Sequence, residues 1–435
     1  MERDLYANLL AWKSSPRRKP LLLRGARQTG KTFLLRQFGD REYERIVYLD
    51  FEEDPALDGF FRRDLDPYRI VAELSVYQGF DIQPERHLII FDEVQASSRA
   101  LTSLKYFQEL AGSYHVAAAG SLLGVKMSRP GSFPVGKVNF LDLHPMSFLE
   151  FLRATGKPRY AELLLGLTEP APLPDAIHTD LLDMLRAYLF AGGMPEAVDN
   201  HAGAGDARIT RQIQNEILDS YVLDFAKHAT ATDIPKLSLI WDSIPRHLAK
   251  ENRKFMFSTV KKGARAREYE NALRWLQDAG LVRFCYAVST GRPPLKHYAD
   301  RSVFKVYALD VGLLGAMART PPEVAVQGDR LFTEYRGALA ENYVAQELAA
   351  GGHPDLYYWR SPGGRAELDF LCEIGRSVAP VEVKAGLSRR SRSLRSYDQQ
   401  FASDVLFRAN LLNLKRDGKI CNVPLYAVSL VHRFV

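Results

Sequence analysis

The sequence predicts an α/β protein built from a parallel-sheet region, a helical middle region and a C-terminal α/β region. Three observations lead to this fold class. From residue 20 to about residue 152, short apolar runs alternate with helical apolar spacing, as in a parallel sheet with helices on both faces. From 176 to about 248 the spacing is mainly helical. Amphipathic strand patterns then return between 366 and 384.

The chain is long enough for several domains. At 435 residues it exceeds the size at which one hydrophobic core stops growing, about 250–300 residues. Hydrophobic residues make up 46% and charged residues 25% of the sequence, which excludes disorder as the main state of the chain. We predict a parallel-sheet domain at 1–155, a linker and helical region at 156–248, a helix-and-strand region at 249–325, and a C-terminal domain at 326–435.

A glycine-containing segment follows the first predicted strand, Pro20–Leu23, and precedes helical spacing over residues 32–38. Its spacing, G-x-x-x-x-G-K-T, is typical of a loop whose backbone N–H groups surround the phosphates of a nucleotide. The predicted ATP-binding residues are Gly25, Ala26, Arg27, Gln28, Thr29, Gly30, Lys31 and Thr32. In such a loop, Lys31 reaches the β- and γ-phosphates and the Thr32 hydroxyl binds Mg²⁺.

A second motif supports the same site. The run Leu88–Phe91 is apolar and ends in Asp92 and Glu93, so it predicts a buried strand that presents two carboxylates at its C-terminal edge. We predict that Asp92 holds the Mg²⁺ shell and that Glu93 is the catalytic base for the attacking water. The alternative is a strand that ends in a solvated acidic turn.

Two more strands are predicted for this sheet, at residues 45–51 and 115–121. The second ends at Ser121, where many ATPases place a polar sensor of the γ-phosphate. A Gly-Ser pair after a strand is also ordinary turn chemistry. The predicted catalytic residues of this region are therefore Lys31, Glu93 and Ser121.

The middle of the chain offers two further interpretations. Residues 156–174 are polar and proline-rich and predict a surface excursion. The segment Gly192–Glu196 is either a hinge that senses nucleotide or a helix stop followed by a proline start.

Residues 257–288 predict a helix, a glycine stop and a strand, as in a winged-helix unit. The basic segment at its entry, residues 261–267, could contact the phosphates of DNA or another nucleic acid. The alternative is a solvated charged face.

The C-terminal region carries a separate set of charged residues. Glu341 lies near the core-facing side of an amphipathic helix at 337–348. Two strands follow, and alternation in a strand puts Glu382 and Lys384 on one face. If the neighbouring strand presents Asp369 beside them, the group suits Mg²⁺-assisted phosphodiester cleavage. Asp369 and Glu382 would bind the metal, Glu341 would complete its shell, and Lys384 would be the catalytic cation.

This arrangement resembles the nuclease superfamily with a D…E-x-K active site. The alternative is a solvated edge whose charges prevent aggregation. The basic stretch at residues 388–395 that follows is interpreted either as a phosphate contact or as a solvated helix start.

Taken together, the segments resemble the prokaryotic AAA-type ATPases that carry a C-terminal domain of unknown function with a nuclease-like core. The resemblance is carried by LLLRGARQTGKT, LIIFDEVQ, AAAGSLLG, LHPMSFLEFL, AGGMPEAV, GALAENYVAQEL, AELDFL and VEVK. It implies a P-loop ATPase domain at 1–155, lid helices within 156–248, a winged-helix-like region at 249–325 and a nuclease-like domain at 326–435. One position departs from the family: Gly136-Lys137 stands where it usually has Gly-Arg, so a point charge replaces a planar fork.

The net charge, the cysteines and the apolar runs indicate which partners and which cellular compartment to expect. The formal net charge of +6 permits contact with a polyanion without requiring it. The three cysteines lie far apart and the N-terminus has no export signal. No apolar run approaches the roughly 20 residues that cross a bilayer. We therefore expect a cytoplasmic protein with no membrane contact, and its oligomeric state is open.

Two functions follow from these predictions. In the first, ATP and Mg²⁺ drive an enzyme that cuts nucleic acid through its C-terminal domain. In the second, the ATPase is a regulatory switch, and the C-terminal domain is a non-catalytic module that binds a protein partner.

Overall fold

The computed structural model describes residues 1–121, 136–203, 205–250, 253–321, 336–361, 363–387 and 391–435. The end of the AAAGSLLG segment and residues 388–390 of the basic stretch lie outside these ranges. The contacts of the chain define two compact units. The N-terminal unit comprises Glu2–His144 with Asp278–Gly280, and the C-terminal unit comprises Pro145–Gln277 and Leu281–Val435 with Met1. The predicted domain boundaries remain predictions.

The N-terminal unit contains the predicted parallel sheet. Its strands in the described residues are β1 (Leu21–Gly25), β2 (Arg45–Asp50), β3 (His87–Asp92), β4 (His115–Ser121) and β5 (Asn139–Asp142). They pair in the order β2-β3-β4-β1-β5, and every pair is parallel. The α-helices described in this unit are Tyr6–Ser14, Lys31–Glu42, Pro67–Gln78 and Ser98–Leu110.

Both faces of this sheet are buried, which explains the nearly continuous apolar runs of its strands. Leu22 and Ile89 point into one apolar cluster, and their neighbours Leu23 and Ile90 point into another. Helices therefore cover both faces, and only the strand ends remain for polar function. This confirms the predicted fold class of the N-terminal region.

The C-terminal unit begins with helices. Those described are Phe148–Ala154, Pro158–Leu165, Asp175–Ala191, Pro195–Ala202, Ala207–His228, Ile234–Leu248, Phe257–Val260, Ala266–Asp278, Val311–Met317, Arg336–Ala350 and Arg392–Phe401. The interval predicted as a surface excursion contains the helix Pro158–Leu165, which buries Ala161 and Leu164. The prediction missed this helix because its proline occupies the first turn, where proline is tolerated.

The segment Gly192–Glu196 is a junction between two helices. Gly192 follows the helix Asp175–Ala191 with a left-handed φ of 73°, and Pro195 opens the next helix. A Cβ on Gly192 would lie 2.1 Å from Asp310 Oδ1, and the Gly193 N–H donates to Asp310 Oδ2 at 2.7 Å. The helix-stop interpretation fits this geometry, and the hinge interpretation stays untested.

An eight-stranded mixed sheet forms the rest of the described C-terminal unit. Its strands are β6 (Val282–Val288), β7 (Ala299–Ala308), β8 (Leu356–Arg360), β9 (Glu367–Ile374), β10 (Ser377–Val383), β11 (Leu406–Asn410), β12 (Lys415–Asp417) and β13 (Ile420–Pro424). They pair in the order β12-β13-β11-β10-β9-β8-β6-β7. The sheet therefore includes strands from both sides of the predicted boundary at residue 326.

The hairpin β6–β7 follows the helix Ala266–Asp278, and the winged-helix interpretation of this region stays a prediction. Strand β6 also pairs in parallel with β8, so the hairpin continues into the C-terminal sheet. This pairing brings side chains of β7 close to those of β9. In the described part of the chain, no helix is both long and apolar enough to cross a membrane.

Candidate nucleotide site and C-terminal cleft

The loop between β1 and the helix Lys31–Glu42 has a tightly constrained backbone. Gly30 and Gln28 adopt left-handed conformations, with φ values of 91° and 64°. A Cβ added to Gly25 would lie 2.5 Å from the carbonyl oxygen of Leu143, so only glycine fits there. Such a path is what a loop needs to direct its N–H groups at an anion near a helix N-terminus.

Lys31 opens the helix and is only 5% exposed. Its Nζ donates to the carbonyls of Gly25 at 3.1 Å and Ala26 at 2.9 Å, and burial lowers its pKa. Thr32 is next in the first turn and is partly buried. The hydrogen bonds described for the Lys31 ammonium thus go to neutral carbonyl oxygens, while the charges of Glu93 and Asp92 oppose the effect of burial on its pKa.

Arg3 braces the same loop from the N-terminal segment. Its Nη1 donates to the Thr29 carbonyl at 2.9 Å, and its Nη2 donates to the His144 carbonyl at 2.6 Å. Both bonds are to backbone oxygens, so they fix the path of the chain at Thr29 and His144.

The carboxylates at the end of β3 occupy different environments. Asp92 is 1% exposed and accepts a hydrogen bond from Tyr48 Oη at 2.8 Å. Glu93 has a left-handed φ of 44°, its side chain accepts from Gln95, and burial raises the pKa of its carboxyl. A raised pKa brings Glu93 closer to the range that suits a general base.

Ser121 ends β4 directly opposite Gly25 of β1 in the parallel ladder, so it lies at the same sheet edge as the loop. Lys137 lies at the other edge. It precedes β5, whose Asn139 pairs with Leu21 at the start of β1, and its Nζ contacts Glu109 at 3.0 Å. Within its own unit, Lys137 is therefore remote from the phosphate loop.

Sequence reasoning did not identify several residues around this site. Tyr48 and Asp50 come from β2, and Tyr48 Oη lies 3.2 Å from Asp50 Oδ2. The carboxylate at the end of β2 could have been found, because the ends of parallel strands meet at one edge. For Arg3 and Gln95 the sequence offers no spacing signal.

In the C-terminal unit, the structure brings the predicted charged residues to one end of β9 and β10. Asp369 Oδ2 accepts from the Val383 N–H at 2.8 Å, which places Asp369 beside the E-x-K strand as expected. Glu382 and Lys384 contact each other at 3.0 Å. Burial raises the pKa of Glu382, which is 4% exposed. Glu341 is 1% exposed and lines the same cavity as Asp369 and Lys384, whose volume is about 420 Å³.

Three residues that the sequence analysis missed also belong to this cleft. Lys305 of β7 lies with its Nζ 2.8 Å from Glu367 Oε1 and 3.7 Å from Asp369 Oδ1. Arg253 pairs with Glu341. Neither cation shows a spacing pattern in the sequence. Lys305 reaches the cleft because the pairing of β6 with β8 brings β7 to this place.

The cleft does not have the geometry of a metal centre. Among the described residues, no group of three or more His, Cys, Asp or Glu side chains could hold a metal ion. The predicted metal set of Glu341, Asp369 and Glu382 is therefore close in space without forming a coordination shell.

Three family models match the chain. Residues 17–152 match the AAA domain. Residues 182–324 match a domain of unknown function, DUF8612, and residues 336–428 match another, DUF4143. No curated protein matches the sequence.

Several solved structures match the chain at low identity. A Walker-type ATPase of Pyrococcus abyssi is 13% identical over 73% of this chain and 95% of that chain, with a TM-score of 0.46. The Aeropyrum pernix ORC1 protein in complex with DNA is 15% identical over 75% of this chain and 94% of that one, with a TM-score of 0.32. AMPPCP-bound DnaA from Aquifex aeolicus is 13% identical over 63% and 85%, with a TM-score of 0.29.

Scores this low support no conclusion about function. The family match at residues 17–152 agrees with the observed fold of this region. Residues 17–152 are similar to the AAA domain, and they contain the parallel sheet and the glycine-containing loop after its first strand.

Proposed function

We propose that the N-terminal unit binds and hydrolyses ATP with Mg²⁺. One observation carries the proposal: the loop Gly25–Thr32, the carboxylates Asp92 and Glu93, and Ser121 all lie at the C-terminal edge of one parallel sheet. That edge is where open α/β sheets bind ligands. The closely packed Gly25 and the left-handed Gly30 fit a backbone that wraps phosphates.

The residues divide the work by their chemistry. Backbone N–H groups of the loop and the Lys31 ammonium bind the phosphates. Thr32 and Asp92 are the residues that would hold Mg²⁺, which neutralises charge on the phosphate oxygens when bound. Glu93 would accept a proton from the attacking water, and Ser121 would contact the γ-phosphate.

Steady-state ATP hydrolysis by the full chain tests this proposal. We expect Lys31→Ala to lose at least about 100-fold in rate, because it removes a cation from the reacting phosphate. Lys105→Ala is the matched control, since Lys105 is exposed on the helix Ser98–Leu110 and should keep the wild-type rate. Equal rates in wild type and Lys31→Ala would reject the assignment.

We further propose that ATP turnover serves a regulatory switch whose C-terminal unit binds a partner without cutting it. The contacts among Lys305, Glu367 and Asp369 support this option over nucleic-acid cleavage, because they engage carboxylates that a Mg²⁺-dependent nuclease needs. A nuclease assay with Mg²⁺ on wild type beside Asp369→Ala separates the two. Cleavage by wild type that Asp369→Ala abolishes would favour the nuclease.

The partner could be a nucleic acid, and one exposed feature favours this candidate. Lys261, Lys262, Arg265 and Arg267 are all exposed around the turn that leads into the helix Ala266–Asp278. Clustered cations of this kind bind phosphate backbones with a strong salt dependence. Fluorescence anisotropy with duplex DNA at low and high salt tests it. The variant Lys261→Ala/Lys262→Ala should bind more weakly than wild type, and unchanged binding would point to a protein partner.

A further inference from the structure

The cleft of the C-terminal unit contains a buried lysine that belongs to none of the predicted motifs. Lys305 lies on β7, is 1% exposed, and stands over the Tyr358 ring at 4.9 Å. Its Nζ lies within 4 Å of carboxylate oxygens of Glu367, Asp369 and Glu341, at 2.8, 3.7 and 3.8 Å. These carboxylates come from strand β9 and from the helix Arg336–Ala350, so Lys305 joins several elements of the unit.

The carboxylate oxygens of this cleft have other protein donors as well. Tyr307 Oη donates to Glu341 Oε2 at 3.0 Å, and Arg253 pairs with Glu341 Oε1. Asp369 Oδ2 accepts from the backbone of Val383 at 2.8 Å. Protein groups thus supply donors to the oxygens of Glu341 and Asp369, whereas the buried Glu382 Oε2 has no hydrogen-bond partner in the described part of the chain.

The charges of the cleft nearly balance without a metal ion. Among the described residues, the cations are Lys305, Arg253 and Lys384, and the carboxylates are Glu341, Glu367, Asp369 and Glu382. A divalent ion needs oxygen ligands at about 2.0–2.6 Å. An ammonium held among the same oxygens would lie within a few ångströms of that ion, where repulsion in a buried site is strong. The ammonium of Lys305 would therefore compete with a divalent ion for these carboxylate oxygens.

We propose that Lys305 is the resident cation of this cleft and that it takes the place of a divalent metal. The cluster of Glu341, Glu367 and Asp369 then holds an ammonium in place of a divalent ion, and its stability depends on Lys305. Removing the ammonium while keeping the side-chain length should uncover a metal site. This inference does not depend on ATP hydrolysis by the N-terminal unit.

The experiment uses the full chain without nucleotide and Mn²⁺ as the only probe. Thermal unfolding and Mn²⁺ electron paramagnetic resonance are recorded for wild type, Asp369→Asn, Lys305→Met and Lys305→Met/Asp369→Asn. We expect Mn²⁺ to have the same effect on the melting temperature and the resonance signal of wild type and of Asp369→Asn, since neither binds the ion in the cleft. Lys305→Met should melt at a lower temperature than wild type and should be restabilised by Mn²⁺. It should also bind the ion at least about tenfold more tightly, because it lacks the competing charge.

The double variant should lose the Mn²⁺ response, which locates the new site at Asp369. Lys296→Met is the matched control, because Lys296 is an exposed lysine paired with Asp355 at 3.5 Å. It should behave as wild type. A Mn²⁺ response in wild type that Asp369→Asn abolishes would overturn the proposal, and so would a folded Lys305→Met with no gain in Mn²⁺ binding.

If Lys305→Met does not fold, wild type and Asp369→Asn still decide the question. Equal Mn²⁺ binding by the two supports the resident cation, and a loss in Asp369→Asn refutes it. A parallel ATP hydrolysis assay on wild type keeps this outcome separate from the nucleotide site.

Discussion

The two units each bury a lysine near carboxylates, and the difference lies in the atoms that hold the lysine. In the N-terminal unit, Lys31 donates to the backbone carbonyls of Gly25 and Ala26, and Asp92 takes its bond from a tyrosine. In the C-terminal unit, Lys305 contacts carboxylates directly. The same residue types thus give a cation suited to an incoming anion in one place and a neutralised cluster in the other.

A sequence motif therefore specifies which residue types are present. The groups that contact each side chain in the folded unit decide whether it can bind a ligand. Lysine whose hydrogen bonds go to neutral carbonyls has no carboxylate hydrogen-bonded to it, so a phosphate ligand can pair with its ammonium. Lysine within a group of carboxylates has its charge compensated inside the protein, so it attracts neither anion nor metal. Four predictions test this contrast, in order of decreasing effect.

The largest expected effect separates Glu93 from Glu382, the two glutamates whose pKa is raised by burial. Glu93→Gln should lower the rate of ATP hydrolysis by about 10²–10⁴-fold while ATP still binds, because it removes the proton acceptor. Glu382→Gln is the matched change in the other unit and should leave the rate as in wild type. Rates are followed by phosphate release and binding by calorimetry. A large loss in Glu382→Gln, or none in Glu93→Gln, would remove the contrast.

The second prediction concerns the stability of the cleft. Glu341→Gln keeps the shape of the side chain but leaves Arg253 and Lys305 with one carboxylate fewer. Breaking a buried pair in this way costs about 3–5 kcal/mol of the free energy of unfolding. Urea unfolding of the full chain measures it, with Glu270→Gln as control, since Glu270 pairs with Arg274 at the surface. A change as small as that of the control would mean that the cleft is solvated.

A smaller effect is expected from the donor to Asp92. Tyr48→Phe removes the hydroxyl that bonds Asp92 Oδ2 and should lower the free energy of unfolding by about 1–3 kcal/mol, because a buried acceptor loses its partner. Tyr68→Phe is the control, since its hydroxyl bonds Leu110 at the surface and its loss should cost less than about 0.5 kcal/mol. Equal melting temperatures for both variants would show that Tyr48 does not hold Asp92.

The last prediction is a pH dependence. Burial raises the pKa of Glu93 above its ordinary value of 4.5, and only the ionised carboxylate can accept a proton. The hydrolysis rate should therefore fall as the pH drops through this raised pKa, at a higher pH than for an ordinary glutamate. The profile of kcat against pH measures the acid limb. A profile that stays flat down to pH 4.5 would exclude Glu93 as the base.

Much of the nucleotide site could be predicted because its signals are local. Gly25, Gly30 and Lys31 belong to one loop, and Asp92 and Glu93 end one apolar strand, so spacing alone identifies them. The strand β10 and the face shared by Glu382 and Lys384 followed from alternation in the same way. Each of these features depends only on residues that are close together along the chain, so the sequence is enough to predict it.

The sequence by itself determined the α/β class, the phosphate loop, the carboxylates at the end of β3 and the charged residues of β9 and β10. Only the tertiary structure decided which partners these groups have. Tyr48 meets Asp92 through the pairing of β2 with β3, and Lys305 reaches Glu367 and Asp369 through the pairing of β6 with β8. Pairing between distant strands depends on the packing of the whole unit, and no spacing along the chain records it.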